Sequence, residues 1–261
     1  MVPSNSSSPF SLAGKVVLLT GGAGIYGRGL TRYLARAGAT LVIAARNQAA
    51  LEAVAQAERD AGHSVQAVTL DQESEESVLA LRDRLVSEYG RIDGLVNNAV
   101  ARPMRSPDAP VSAWAASMAT NATGLFAISR AFAEHMAERG GGSIVNISSI
   151  QGMVGPDFTL YEGLGLQTAP DYFFHKAGML NLTRFFAAQF GPRGVRVNAV
   201  SPGGFHYDQP EEFVRRYSRK TFLRRMAGED DLGPPVVFML SDGARYITGA
   251  NLAVDGGYTA L

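Results

Sequence analysis

Seven short apolar runs punctuate the chain: Lys15–Thr20 (KVVLLT), Thr40–Arg46 (TLVIAAR), Val65–Asp71 (VQAVTLD), Gly94–Ala99 (GLVNNA), Ser143–Ser149 (SIVNISS), Val195–Ser201 (VRVNAVS) and Asn251–Asp255 (NLAVD). Most are nearly unbroken in apolar residues rather than alternating, as in parallel strands covered on both faces. Between them, stretches of helical period such as Leu51–Arg59 and Val78–Tyr89 carry polar residues along one side. Strand, helix, strand repeated this often predicts right-handed βαβ crossovers, hence a doubly wound α/β parallel sheet with helices on both faces. No long linker, composition break or repeat divides residues 12–261, which read as a single domain. Residues 1–11, polar and rich in Pro and Ser, read as a flexible leader. Ligands of such sheets lie beyond the carboxyl ends of the strands, where the strand order reverses. The chemistry is therefore expected in the loops after strands.

The first strand runs directly into Thr20-Gly21-Gly22-Ala23-Gly24-Ile25-Tyr26-Gly27, and a helical stretch follows. Gly22, Gly24 and Gly27 satisfy G-x-G-x-x-G in the strand–turn–helix setting that the motif requires. The glycines permit a tight turn, a close approach of backbone to pyrophosphate and close packing of helix on strand. The helix N-terminus offers free N–H groups and a positive dipole end. An NAD site normally shows Asp or Glu at the tip of the second strand, gripping the ribose hydroxyls. Here that strand ends Ala44-Ala45-Arg46-Asn47. Arg46 is thus placed to meet a 2′-phosphate, which a carboxylate would repel, and NADP(H) is expected in preference to NAD(H). The alternative is an arginine that simply faces water. Asp71-Gln72, ending the third strand, is placed either to reach the adenine edge or to cap the helix beginning near Ser74.

Composition brings the second site into view. Only Lys15, Lys176 and Lys220 are lysine among 24 basic residues. Lys176 follows Tyr172 by four positions, in a stretch leading into helical Ala177–Phe190, so both side chains are expected on one helix face, a turn apart. Chance would yield such a pair about 0.1 times in a chain with these counts. A free phenol titrates near pH ~10 and is a poor base at neutral pH, but a nearby ammonium favours phenolate. An ammonium also sits compactly against a phenol and a ribose hydroxyl, where a forked guanidinium is wider.

These residues, with Asn97-Asn98-Ala99, Asn121 in Asn-Ala-Thr-Gly-Leu-Phe, Ser148-Ser149, Ser201-Pro202-Gly203 and Asp255-Gly256-Gly257, follow one another in the order of a known family. From Leu12 to about Tyr258 the chain resembles the compact, single-domain short-chain dehydrogenases/reductases. The resemblance implies a Rossmann fold with a seven-stranded parallel sheet, and NAD(P)-dependent interconversion of a secondary alcohol and a carbonyl compound. It implies that Tyr172 is the acid/base and that Ser149 hydrogen-bonds the reacting oxygen. Lys176 would hold the nicotinamide ribose and favour phenolate, and Asn121 would hold a water linking Lys176 to solvent. Gly21, Gly22, Gly24, Ile25, Gly27, Asn98, Ala99, Pro202 and Gly203 would border the cofactor together with Arg46, Asp71, Gln72, Tyr172 and Lys176. Bland alternatives are a strand-end cap for Ser149 and a helix-breaking polar contact for Asn121. A small-molecule substrate and a homodimer or homotetramer are further implications.

The chain also departs from the family. Ile25 and Val100 stand where glycines are usual, and no threonine closely follows Pro202-Gly203. Ser149 and Tyr172 are separated by an insertion within residues 155–171, expected to form part of the substrate wall. Tyr161 lies within it, but Gly165 stands four residues on, so Tyr161 lacks the lysine of the pair. These departures feed two rivals: a non-catalytic NADP-binding sensor or scaffold, and an epimerase or dehydratase with bound cofactor.

Charge and cysteine set the outer bounds. With 24 Lys+Arg against 24 Asp+Glu, no nucleic-acid partner or acidic membrane surface is expected. The absence of cysteine excludes disulfides, thiolate metal sites and a cysteine nucleophile. His63, His135, His175 and His206 lack ligand spacing, so no catalytic metal is expected. No signal peptide or membrane helix is apparent, which makes the cytoplasm the expected location. Residues 204–228 fall where the family keeps a variable substrate lid, and they carry Arg215, Arg216, Arg219, Lys220, Arg224 and Arg225. Arg102 and Arg105 follow the fourth strand. A solvated face is the bland reading of these cations; the other is that one of them clamps an anionic substrate, a sugar acid or another carboxylate.

Overall fold

The computed structural model describes residues 8–260. Seven strands form one parallel sheet: β1 (Val16–Thr20), β2 (Thr40–Ala45), β3 (Val65–Thr69), β4 (Gly94–Asn97), β5 (Gly142–Ile147), β6 (Val195–Pro202) and β7 (Asn251–Val254), in the order β3-β2-β1-β4-β5-β6-β7. The order reverses between β1 and β4, which is where the carboxyl ends open the crevice. Among the described residues eight α-helices accompany the strands: α1 (Ile25–Arg36), α2 (Gln48–Asp60), α3 (Glu75–Tyr89), α4 (Val111–Met118), α5 (Leu125–Glu138), α6 (Pro170–Phe190), α7 (Glu211–Arg219) and α8 (Glu229–Leu240).

The pleat explains why the strand runs are unbroken. Val17 and Leu19 of β1 point into a core completed by Leu30 and Leu34 of α1 and by Val236 of α8. Leu18, between them, points into the opposite core with Leu85 of α3, Phe132 of α5 and Phe186 of α6. Both sheet faces are thus buried, which is why apolar side chains dominate the strands on both sides of the pleat. Helix ends obey local chemistry. Ser74 caps α3 by accepting from Ser77 N–H, Glu75 and Glu76 occupy the first turn, and Gly90 closes the helix at φ 72°.

The first seven residues of the expected leader lie outside the described residues. Long-range contacts begin at Pro9, whose carbonyl accepts from Gly243 N–H at 2.8 Å, ahead of the expected boundary at Leu12. Among the described residues no helix is long and apolar enough to cross a membrane.

Candidate active site

A cleft of about 960 Å³ opens over the carboxyl ends of the strands, and it gathers residues from the loops after β1 through β6. At its floor the chain leaves β1 through Gly21, whose φ of 71° is the left-handed conformation that suits glycine. A Cβ here would stand 3.0 Å from both Ala99 Cα and Asn98 Nδ2. Gly22 is needed for packing, since its Cβ would lie 2.6 Å from Ile43 Cβ. Gly27 has no room for a Cβ against the Gly21 carbonyl. Gly22 and Gly27 therefore shape the turn, while Gly21, Gly24 and Ile25 line the cleft. Gly24 is the N-cap of helix α1, so no side chain caps its first turn. Across the switch point Thr20 Oγ1 accepts from the N–H groups of Asn98 and Ala99 at 3.1 and 3.0 Å, and Asn98 Nδ2 donates to Thr20 O at 3.0 Å. These bonds hold the ends of β1 and β4 together beneath the turn.

At the β2 tip Arg46 lines the cleft with its side chain 69% exposed, and its nearest carboxylate is Glu73 at 3.9 Å. The two members of the Asp71-Gln72 pair diverge. Asp71 Oδ1 accepts from Glu73 N–H, ahead of the Ser74 cap. Gln72 is buried, lines the cleft with Asp71, and through its Nε2 donates to Thr120 O at 3.2 Å, in the turn that follows α4.

Helix α6 starts at Pro170, a favourable first residue, and this places Tyr172 and Lys176 in its opening turns. Lys176 is 3% exposed; its Nζ donates to Ile147 O at 2.6 Å and lies 5.5 Å from the centroid of the Tyr172 ring. Burial first, and then the Arg102 guanidinium, pull the Lys176 ammonium down to about 7. Between that value and the ordinary 10.5 the unfolded chain binds a proton that the folded chain does not, so the folded state gains stability as pH rises through this window. The melting temperature of the wild-type protein minus that of Lys176→Met is accordingly expected to grow from pH 7 towards 10. A difference flat with pH would show that Lys176 does not titrate there.

Ser149 follows β5, is 7% exposed and lines the cleft, while its Oγ also accepts from Gln151 N–H at 3.1 Å. Asn121 sits in a π-helical turn, Ala119–Gly124, and is not among the residues that line the cleft. Its Oδ1 accepts from Ala101 N–H at 2.9 Å, and its Nδ2 donates to Ala101 O at 2.7 Å and to Ser117 Oγ at 3.0 Å. Its amide is thus spent on the backbone beside Arg102, so through its side chain it positions that arginine's loop.

Arg102 stands over the Tyr172 ring, its Cζ 4.3 Å from the ring centroid. The lid cations behave differently. Arg215 and Arg216 pair with Glu212, and Arg216 also donates to the carbonyls of Thr159 and Glu162 at 2.9 and 2.7 Å. Lys220 pairs with Asp157, Arg225 with Asp231, and Arg224 donates to Arg219 O. These contacts fasten α7 to the insertion and the segment after α7 to α8; of the cations singled out at the mouth, only Arg102 and Arg105 line the cleft. From the insertion Tyr161, Leu166 and Gln167 reach it.

Three residues stand out only in the structure. Tyr26 lines the cleft and donates to Gly203 O at 2.7 Å. Asp171 is 2% exposed and accepts from Ser117 Oγ at 2.5 Å, which extends the Asn121 network to the start of α6. His175 is buried edge-on to Tyr172, with ring centroids 5.2 Å apart and neither nitrogen bonded among the described residues. Burial and the Lys176 and Arg102 charges lower it to about 3, so it is neutral throughout the working range. Its proximity to Tyr172 in sequence was the available signal; an apolar neighbourhood was not.

A family profile described as Enoyl-(Acyl carrier protein) reductase matches residues 22–259. A cis-4-hydroxycyclohexanecarboxylate dehydrogenase of Sinomonas cyclohexanicum is 36% identical over 96% of this chain and 99% of its own length. The chain belongs to the short-chain dehydrogenase/reductase family. An L-rhamnose 1-dehydrogenase (NAD(P)(+)) of Azotobacter vinelandii is 36% identical over 94% of this chain and 97% of the relative. Among solved structures, a gluconate 5-dehydrogenase of Burkholderia cenocepacia J2315 in complex with NADP and tartrate superposes with a TM-score of 0.88 at 30% identity, covering 97% of this chain and 98% of that one. The protein is a short-chain dehydrogenase acting on CH–OH groups with NAD(P). The sequence departures at Ile25 and Val100 thus sit within an enzyme of this family.

Proposed function

We propose that this dehydrogenase interconverts a secondary alcohol and a ketone on a substrate bearing a carboxylate, a sugar acid or another hydroxy acid, with NADP(H) in preference to NAD(H). The observation that carries the substrate class is Arg102: it lines the cleft over the Tyr172 ring and, among the described residues, has no carboxylate partner. A carboxylate taken by this guanidinium would hold a nearby carbinol carbon at the phenol. The names of two relatives run the same way, one a hydroxycyclohexanecarboxylate dehydrogenase and one a gluconate dehydrogenase with tartrate bound.

The cleft suits the cofactor. The uncapped α1 N-terminus and Gly21, which admits no side chain, would receive the pyrophosphate, and Arg46 the 2′-phosphate. Bound NADP supplies the hydride acceptor for oxidation and the donor for reduction. The protein's own part is proton transfer and orientation. In the oxidising direction Tyr172 Oη takes the substrate hydroxyl proton as the carbinol carbon loses its hydride and becomes a carbonyl carbon. Lys176 and Arg102 flank the phenol, with Nζ 5.5 Å and Cζ 4.3 Å from its ring centroid. Ser149 Oγ, at the β5 end, is positioned to donate to the developing oxyanion. Exposed Phe126, Phe174 and Phe185 on α5 and α6 support self-association as a homo-oligomer.

A screen of hydroxy acids and their neutral analogues, followed at the nicotinamide absorbance with NADP⁺ and NAD⁺ in parallel, tests the reading. Turnover confined to neutral alcohols overturns the substrate class. For the cofactor, Arg46→Ala is expected to weaken NADPH about 10- to 100-fold and to leave NADH unchanged, as loss of a charge-assisted phosphate contact should. Equal effects on the two dinucleotides, measured by titration, would remove Arg46 from that role.

A further inference from the structure

Beyond β6 the chain crosses the cleft as Gly203-Gly204, and both residues line it. The single peptide group joining them is held from two sides by phenols. Its carbonyl, Gly203 O, accepts from Tyr26 Oη at 2.7 Å, and its amide, Gly204 N–H, donates to Tyr217 Oη. The flanking groups are also paired: Gly203 N–H donates to Val254 O at 3.0 Å, and Gly204 O accepts from Ala227 N–H at 2.9 Å. Every polar atom of the two-residue segment is therefore engaged.

The two phenols come from opposite walls. Tyr26 is the second residue of α1, beside the turn that would receive the pyrophosphate, and its ring packs edge-on to Phe205 at 5.0 Å. Tyr217 belongs to α7 of the lid and is stacked on Tyr258 at 5.0 Å. Both glycines make this approach possible. A Cβ on Gly203 would stand 3.0 Å from Tyr217 Oη, and one on Gly204 would stand 2.9 Å from the Tyr217 ring. Burial pushes both phenols up, so each stays protonated as a neutral hydrogen-bonding group, and the Tyr172 phenol is near enough to add to the shift of Tyr26. The braced peptide lines the same cleft as the glycine turn and Tyr172, and is tied to the turn's side of it through Tyr26.

We propose that Tyr26 and Tyr217 are positioning residues that fix the Gly203–Gly204 peptide as the wall against which the nicotinamide half of the cofactor rests. The proposal rests on the reading of the cleft as a dinucleotide site. Neither phenol takes part in proton transfer. Each sets the position of one end of the same peptide, and so the distance available for hydride transfer. Their effects should therefore be non-additive, because either loss frees the same group.

The test compares ligands with and without nicotinamide. Tyr26→Phe, Tyr217→Phe and the double variant are titrated with NADPH and with 2′-phospho-ADP-ribose, which lacks only nicotinamide, and in parallel with NADH and ADP-ribose. Each single variant is expected to weaken its reduced dinucleotide about tenfold, the worth of one buried hydrogen bond left unmade. Each should leave the ribose compound within twofold of wild type, and the double variant should be little worse than the singles. Equal weakening of both members of a pair would show a general loss of structure, and unchanged dinucleotide affinity would show no role; either overturns the brace. Should Tyr217→Phe alone fail to fold, Tyr26→Phe still decides. A wild-type protein that binds NADH and ADP-ribose but neither phosphorylated ligand overturns the NADP(H) preference instead, and the unphosphorylated pair then reports on the brace.

Discussion

Replacement of Tyr172 by Phe is expected to lower kcat by about 10²- to 10⁴-fold, the range in which a positioned general acid/base contributes, with NADPH affinity unchanged. The substitution removes one oxygen and keeps the ring that Arg102 covers at 4.3 Å and His175 meets edge-on at 5.2 Å. Packing around the ring is therefore preserved, and loss of rate reports on proton transfer alone. Four other phenols line the cleft: Tyr207 is exposed, and Tyr26, Tyr161 and Tyr217 each carry burial as the principal influence, which opposes phenolate. Tyr172 is the one with Lys176 Nζ near its ring, at 5.5 Å. Steady-state rates with any accepted substrate, together with a fluorescence titration of NADPH, check the prediction. Turnover at the parental rate would move the acid/base to another phenol.

The second large effect is expected at Arg102. Arg102→Gln should reduce kcat/KM for a hydroxy-carboxylate about 10- to 100-fold, the cost of losing a charge-assisted contact to an ionised group. A neutral alcohol of the same shape should be turned over nearly as before. The two substrates separate two roles for one guanidinium. If the carboxylate alone suffers, Arg102 reads the substrate. If both fall equally, its cation acts on the Tyr172 ring and not on the ligand. Arg105→Gln, at the same rim but away from the phenol, should cost less with either substrate. Arg215, Arg216 and Arg225 serve as controls, because their guanidiniums are already engaged by Glu212 and Asp231.

The parts of this protein that follow from short-range rules were open to reading along the chain. Unbroken apolar runs mark strands such as β1 and β5 because both faces of the sheet are covered, and all seven runs became strands. Gly21 could be singled out because its turn demands a positive φ and leaves no room beside Ala99. Tyr172 and Lys176 are a helical turn apart, a separation that helix geometry alone fixes. Contacts with partners distant in sequence were not legible in this way: Gln72 lines the cleft and also donates to Thr120 O, and the Asn121 side chain bonds the backbone of Ala101.

What the sequence determined by itself was the α/β alternation, the nucleotide turn and the phenol–lysine pair, because each depends on neighbours within one helical turn or one strand-to-helix connection. The tertiary structure alone decided which of the many cations face the cleft. Arg102 and Arg216 are equally basic in sequence; one loop ends over a phenol, and the other helix ends against the carbonyls of Thr159 and Glu162. It also decided that Tyr26 and Tyr217, far apart in the chain, meet at one peptide group. A side chain's charge and shape belong to the residue, whereas the group that it meets is set by how distant segments pack, and only the folded chain brings those segments together.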